Sequence, residues 1–73
     1  MKRKELLKHF DYDWGSGDYD SKDGNYTIEK ASGAWYLMRV IDRETHNEYV
    51  PCGEYKTLAG AFDFYTNLIL IER

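Results

Sequence analysis

The sequence predicts a small α+β protein, a three-stranded antiparallel β-meander packed by a C-terminal amphipathic helix, with a short N-terminal helix beside it. Residues 25–52 alternate apolar and polar side chains between turn residues, which is the period of half-buried strands. Residues 57–72 instead repeat apolar side chains at helical spacing. The chain has 73 residues and a net charge of −3, and we expect one domain over residues 1–73.

The N-terminal segment, residues 1–10, is predicted to form the short helix. Leu6, Leu7 and Phe10 fall on one side of it, and a helix of this length must dock on the rest of the protein to be stable. The segment also carries the one cationic cluster of the sequence, Lys2, Arg3, Lys4 and Lys8.

Residues 11–24 are predicted to form an acidic loop, because glycine and aspartate favour turns over regular backbone hydrogen bonding. Its carboxylates are Asp11, Asp13, Asp18, Asp20 and Asp23. Among its aromatic residues, Trp14 and Tyr19 are either anchors that hold the loop down or contact residues, since aromatic side chains are enriched where partners dock.

Three strands are predicted in the meander. A Ser32-Gly33 turn joins the first, residues 25–31, to the second, residues 34–42, whose apolar side chains lie on both faces. The third strand is residues 48–52, and its Pro51 lacks a backbone donor. This strand is therefore expected at a sheet edge or to end there.

The C-terminal helix, residues 57–72, is predicted to begin at a Thr57 cap. Three apolar residues of this helix, Phe64, Leu70 and Ile71, lie off the stripe that faces the sheet. Either the N-terminal helix packs beside the last helix, or the three residues form an oligomer interface, in which case the chain dimerises.

Metal binding and catalysis are not expected. Residues 18–24 are similar to a calcium loop, but Lys22 stands at the fifth position and Gly24 arrives one residue late. The single Cys52 and the separated His9 and His46 provide neither a disulfide nor a zinc site. We predict no cofactor and no enzymatic activity.

A membrane span is not expected either, because the longest apolar run, residues 68–71, is far shorter than the ~18 residues that suggest one. No apolar signal segment follows the basic residues at the start of the sequence. The sequence therefore predicts a cytoplasmic protein.

The order helix, three-stranded meander, helix resembles that of double-stranded-RNA-binding domains, over a stretch from Tyr26 through Gly33, Val40, Tyr49 and Gly53 to Ala61. Those domains grip phosphates with lysines that open the last helix. Here that position has the single cation Lys56, followed soon by Asp63. Binding of nucleic acid would therefore depend on the N-terminal cationic cluster.

A second resemblance involves residues 55–62, Tyr-Lys-Thr-Leu-Ala-Gly-Ala-Phe, which close a meander whose hairpin reads Ser32-Gly33-Ala34-Trp35. This stretch resembles small accessory proteins of bacteriophages and mobile elements, a group that includes anti-CRISPR and anti-restriction proteins. The resemblance implies a stoichiometric inhibitor that binds a host protein, often through an acidic surface.

The sequence thus predicts a non-enzymatic protein-binding module that blocks a nucleic-acid-handling host protein, with no direct nucleic-acid binding. The predicted contact residues are Asp11, Asp13, Trp14, Asp18, Tyr19, Asp20 and Asp23. The alternatives are a nucleic-acid-binding module that uses the cationic cluster, and a homo-oligomeric structural protein.

Overall fold

The computed structural model describes residues 3–71, with side chains over residues 3–69. Two helices enclose five strands along the chain. The elements are α1 (Arg3–His9), β1 (Phe10–Tyr12), β2 (Tyr19–Ser21), β3 (Tyr26–Ala31), β4 (Ala34–Asp42), β5 (Asn47–Tyr55) and α2 (Leu58–Ile71). The strands form one antiparallel sheet in the order β1-β2-β3-β4-β5, so each strand pairs with its neighbours in the chain.

The α+β class is confirmed, but the sheet has five strands where three were predicted. The additional pair, β1 and β2, lies within the predicted loop, residues 11–24. Tyr12 and Tyr19 are directly opposite each other in this hairpin, and their rings pack 4.8 Å apart. Burial of the aromatic side chains offsets the turn preference of the glycines and aspartates around them.

The N-terminal helix is shorter than predicted, because Phe10 begins β1 rather than ending α1. Leu6 and Phe10 are fully buried, whereas Leu7 is on the exposed side. The Phe10 ring lies 4.7 Å from Tyr65 and 6.1 Å from Phe62, both on α2. The N-terminal segment therefore packs against α2 within the same chain. Such packing was one of the two alternatives predicted from the sequence, the other being an oligomer interface.

The predicted turn and cap are present. Ser32 and Gly33 both have positive φ, 52° and 78°, as the two central residues of a type I′ hairpin turn require. The Thr57 hydroxyl accepts the Gly60 N–H at 3.1 Å and so caps α2. Pro51 is on β5, the edge strand, in agreement with its missing donor.

Of the three residues considered for an oligomer interface, Phe64 is half-buried and packs on Tyr55, with ring centroids 5.6 Å apart. The side chains of Leu70 and Ile71 lie outside the described residues. Phe64 thus has an intramolecular partner. None of the described helices is long and apolar enough to cross a membrane.

The two faces of the sheet differ. Tyr26, Ile28 and Leu37 point into the core on the side that carries the helices. Their neighbours along the strands alternate to the opposite side of the sheet, away from the helices. We call this side the open face. Its residues include Asp20, Thr27, Glu29, Tyr36, Met38, Tyr49 and Glu54.

Candidate functional site, an acidic pocket on the open face

A concave pocket of about 420 Å³ lies on the open face. Four carboxylates line it, Asp13, Asp18, Asp20 and Glu29. Met38 and Tyr49 provide apolar surface, and the hydroxyls of Ser16 and Thr27 complete the lining. The carboxylates come from three separate parts of the chain: the β1–β2 turn, β2 and β3.

The β1–β2 turn, residues 13–18, fixes the first two carboxylates. The Asp13 N–H donates to the Asp18 carbonyl at 2.8 Å, and the Gly17 N–H donates to the Asp13 carbonyl at 2.8 Å. Gly17 has a φ of 81°, which glycine adopts without strain. The Asp13 carboxylate accepts the Gly15 N–H at 2.8 Å, and this bond, with a further one from Ser16, lowers the Asp13 pKa. Asp13 is therefore ionised at neutral pH.

Sheet register fixes the other two carboxylates. Asp20 is opposite Thr27 in the β2–β3 pair, and the Thr27 hydroxyl lies 2.9 Å from Asp20 Oδ1 and 3.2 Å from the Tyr19 carbonyl. Glu29 follows Thr27 by two residues and so points to the same face. Strand pairing thus brings together two acids that are nine positions apart in the sequence.

The four pocket carboxylates are at least partly accessible to solvent. Asp13 and Asp20 are exposed, and Asp18 and Glu29 are half-buried. Beside the pocket, Asp11 is opposite Asp20 in the sheet, and its carboxylate lies 3.8 Å from the Lys22 ammonium. The pocket therefore presents a group of carboxylates to water.

The acidic surface extends along the sheet beyond the pocket. Glu54 is opposite Tyr36 in the β4–β5 pair. The Glu54 charge raises the pKa of Tyr36, and burial and a hydrogen bond to the same carboxylate raise it further. Tyr36 is therefore a neutral phenol beside a carboxylate, and the acidic character continues onto the strands next to the pocket.

Four of the predicted contact residues share the open face, with Asp13, Asp18 and Asp20 in the pocket and Asp11 beside it. Asp23 is elsewhere. It lies in the β2–β3 turn, where its carboxylate accepts the Ser21 hydroxyl at 2.6 Å and the Asn25 N–H at 3.0 Å. Burial raises the pKa of Tyr65, a residue of the helix side, and the Asp23 charge raises it further. Asp23 therefore stabilises a turn.

The two aromatic residues predicted as contacts, Trp14 and Tyr19, differ in exposure to solvent. Tyr19 is only 5% exposed and belongs to the core, which corrects its assignment to a partner surface. Trp14 is 85% exposed at the tip of the β1–β2 hairpin, and its ring packs edge-on against Tyr12 with centroids 4.7 Å apart. It is outside the pocket lining and remains available for contact.

Five residues of the pocket lining were not among the contact residues predicted from the sequence: Ser16, Thr27, Glu29, Met38 and Tyr49. The strand alternation placed Glu29 opposite the Tyr26 and Ile28 side. The missing information was that β2 pairs with β3 and brings the loop acids beside it.

The N-terminal cationic cluster is partly described. Arg3, Lys4 and Lys8 are exposed on α1, and Lys8 pairs with Glu5 at 3.1 Å. Lys2 lies outside the described residues. In the part of the chain that the structure describes, no group of three or more His, Cys, Asp or Glu is placed to hold a metal ion.

The fold and the pocket define a small α+β protein with a five-stranded meander and an acidic open face. No family model, curated protein or solved structure matches the chain.

Proposed function

We propose that this protein is a non-enzymatic binding module that blocks a basic surface of a nucleic-acid-handling protein. The observation that carries the proposal is the open face, where four carboxylates from three parts of the chain line one pocket. A partner with a basic groove is complementary to this surface. The setting suggested by the sequence resemblance is a phage-type inhibitor in the host cytoplasm.

The expected role of the charge is kinetic as well as thermodynamic. A surface of one sign raises the association rate with a partner of opposite sign, and this effect weakens as salt increases. Nucleic acid carries the same sign as the open face and is repelled by it. The protein should therefore compete with nucleic acid for its partner rather than bind nucleic acid.

The exposed Trp14 supports a protein partner in particular. A tryptophan that is mostly in water contributes little to folding, whereas tryptophan is enriched among the residues that dominate binding energy at protein interfaces. Trp14 adjoins Asp13, which lines the pocket. We expect the partner to reach both the pocket and the hairpin tip.

Affinity capture tests this function with a matched pair of variants. The open-face variant D20N/E29Q removes two pocket charges, and the control E5Q/D63N removes two charges from exposed residues of the helices. Wild type and control should retain the same bacterial nucleic-acid-binding protein, identified by mass spectrometry, and the open-face variant should lose it. Added DNA or RNA should displace that protein from wild type.

Equal capture by the open-face variant would show that the contact lies elsewhere. The alternative function, direct nucleic-acid binding through the N-terminal cationic cluster of Lys2, Arg3, Lys4 and Lys8, predicts instead that the purified chain binds DNA or RNA near physiological salt. Four neutralised phosphates on duplex DNA would give a log–log salt slope of about −4.

A further inference from the structure

We propose that the acidic pocket binds one arginine side chain of the partner, in preference to lysine. This inference rests on the proposed function and specifies the chemistry of its contact. It commits the open face of the sheet to a basic polypeptide whose arginine inserts between β2, β3 and the β1–β2 turn.

The size of the pocket favours a single side chain. Its volume of about 420 Å³ is near the lower end of the ~300–1,000 Å³ of ligand pockets. A long, unbranched side chain fits into this space. The four carboxylates at the pocket select a cation.

The apolar lining matches the stem of such a side chain. Met38 and Tyr49 are on the neighbouring strands β4 and β5, and Tyr49 is 54% exposed in the free protein. Long cationic side chains bury their methylene groups against apolar surface. The Tyr49 ring also offers a face on which a guanidinium can stack.

The arrangement of the carboxylates distinguishes arginine from lysine. The acids belong to three elements, the turn, β2 and β3, and hydrogen bonds from Gly15 and Ser16 lower the pKa of Asp13. Guanidinium has five N–H donors in a fixed plane and loses its hydration more readily than ammonium. It is therefore able to donate to two carboxylates while it stacks on Tyr49.

The test uses three five-residue peptides, acetyl-Gly-Ser-X-Ser-Gly-amide, in which X is arginine, lysine or citrulline. Citrulline keeps the planar shape of arginine and lacks the charge. Each peptide is titrated into the ¹⁵N-labelled full chain at low salt, and amide shifts are followed. The arginine peptide should give saturable shifts at Thr27, Glu29 and Met38 and bind at least about threefold more tightly than lysine. Citrulline should give none.

Variants assign the effect to individual groups. The open-face variant D20N/E29Q should weaken arginine binding by about tenfold, while the control E5Q/D63N should leave it unchanged. Substitution Y49A should remove the preference for arginine over lysine, and Y49F should retain it. Dispersed amide spectra establish that each variant is folded.

Equal affinity for arginine and lysine at these amides would overturn the arginine assignment and leave the proposed function intact. Absence of saturable shifts with either cation would overturn the pocket as a side-chain site. The proposed function fails separately, if capture of the partner is unaffected by D20N/E29Q.

Discussion

The Ser21 hydroxyl donates to the Asp23 carboxylate at 2.6 Å and accepts the backbone N–H of Tyr26 at 2.8 Å. Ser21 ends β2 and Tyr26 begins β3, so this pair of bonds closes the turn between the two strands. It joins the β1–β2 hairpin, which carries most of the pocket acids, to the rest of the sheet.

Substitution S21A should destabilise the fold by about 1–3 kcal/mol, because the buried hydroxyl provides an acceptor that alanine lacks. Urea unfolding followed by circular dichroism measures the loss. The control S16A removes an exposed hydroxyl that accepts the Asp18 N–H at 3.3 Å and bonds to the exposed Asp13 carboxylate, and it should cost less because these bonds lie in water. Equal costs for the two variants would show that the Ser21 bonds do not stabilise the turn.

Asp23 should contribute to the acid sensitivity of the fold. The Ser21 hydrogen bond and others lower its folded pKa below the usual 3.8. Its stabilisation is therefore present above pH 3.8 and is lost as pH falls through the lower folded pKa. Substitution D23N keeps an acceptor but does not titrate, so its stability should fall less steeply than that of wild type in this range.

Urea midpoints from neutral pH to below pH 3.8 give this comparison. The control D63N makes the same change of charge on the exposed side of α2, and the D23N curve should be less steep than the D63N curve. A D23N curve parallel to wild type would contradict the assignment.

Substitution F10A should cost about 3–5 kcal/mol, because it leaves a cavity among the rings that join β1 to α2. A domain of 73 residues is expected to have a free energy of unfolding of only about 4–11 kcal/mol, so most of the stability is at risk. F10L keeps most of the volume and should retain cooperative thermal unfolding. If F10A unfolds like wild type, Phe10 is not a core residue.

Gly53 should not tolerate a side chain. A Cβ at this position would lie 2.5 Å from Tyr55 Oη and 2.8 Å from Tyr55 Cε2, because the Tyr55 ring crosses the glycine. G53A therefore displaces that ring from Phe64 and Gly60 and destabilises the protein. In a double-mutant cycle the cost of G53A should shrink in a Y55A background, and additive costs would contradict the contact.

Trp14 should be accessible to solvent in the free protein. Acrylamide should quench its fluorescence more strongly than that of Trp35, which is half-buried. The variants W14F and W35F report each emission separately. W14A should change stability by no more than about 0.5 kcal/mol, and strong destabilisation would identify it as a packing residue instead.

The sequence predicted the parts of the fold that depend on short-range patterns. The strand alternation, the Ser32-Gly33 turn and the Thr57 cap each require only neighbouring residues. The prediction of a loop over residues 11–24 was wrong, because it missed the β1–β2 hairpin. The two strands of this hairpin have three residues each and depend on ring contacts across the hairpin and with the core. The glycines and aspartates of this segment favour turns, and ring contacts between residues distant in the sequence are not visible in its local pattern.

The candidate site was predicted in part for the same reason. Asp13, Asp18 and Asp20 were identified from their density of charge, but charge alone does not distinguish a pocket acid from Asp23, which stabilises a turn. Glu29, Met38 and Tyr49 come from three strands, and only strand pairing brings them together.

The match between strand order and chain order affects how the protein forms. Each strand from β2 to β5 pairs with the one before it, so each hairpin closes a short loop, and folds with such local contacts form quickly. The sheet is able to grow from its first hairpin during synthesis, whereas α2 follows all five strands. The aromatic side chains on the helix side of the nascent sheet therefore remain exposed to solvent until α2 is synthesised. Exposed hydrophobic surface promotes aggregation, so we expect the chain to be most prone to aggregate in this interval.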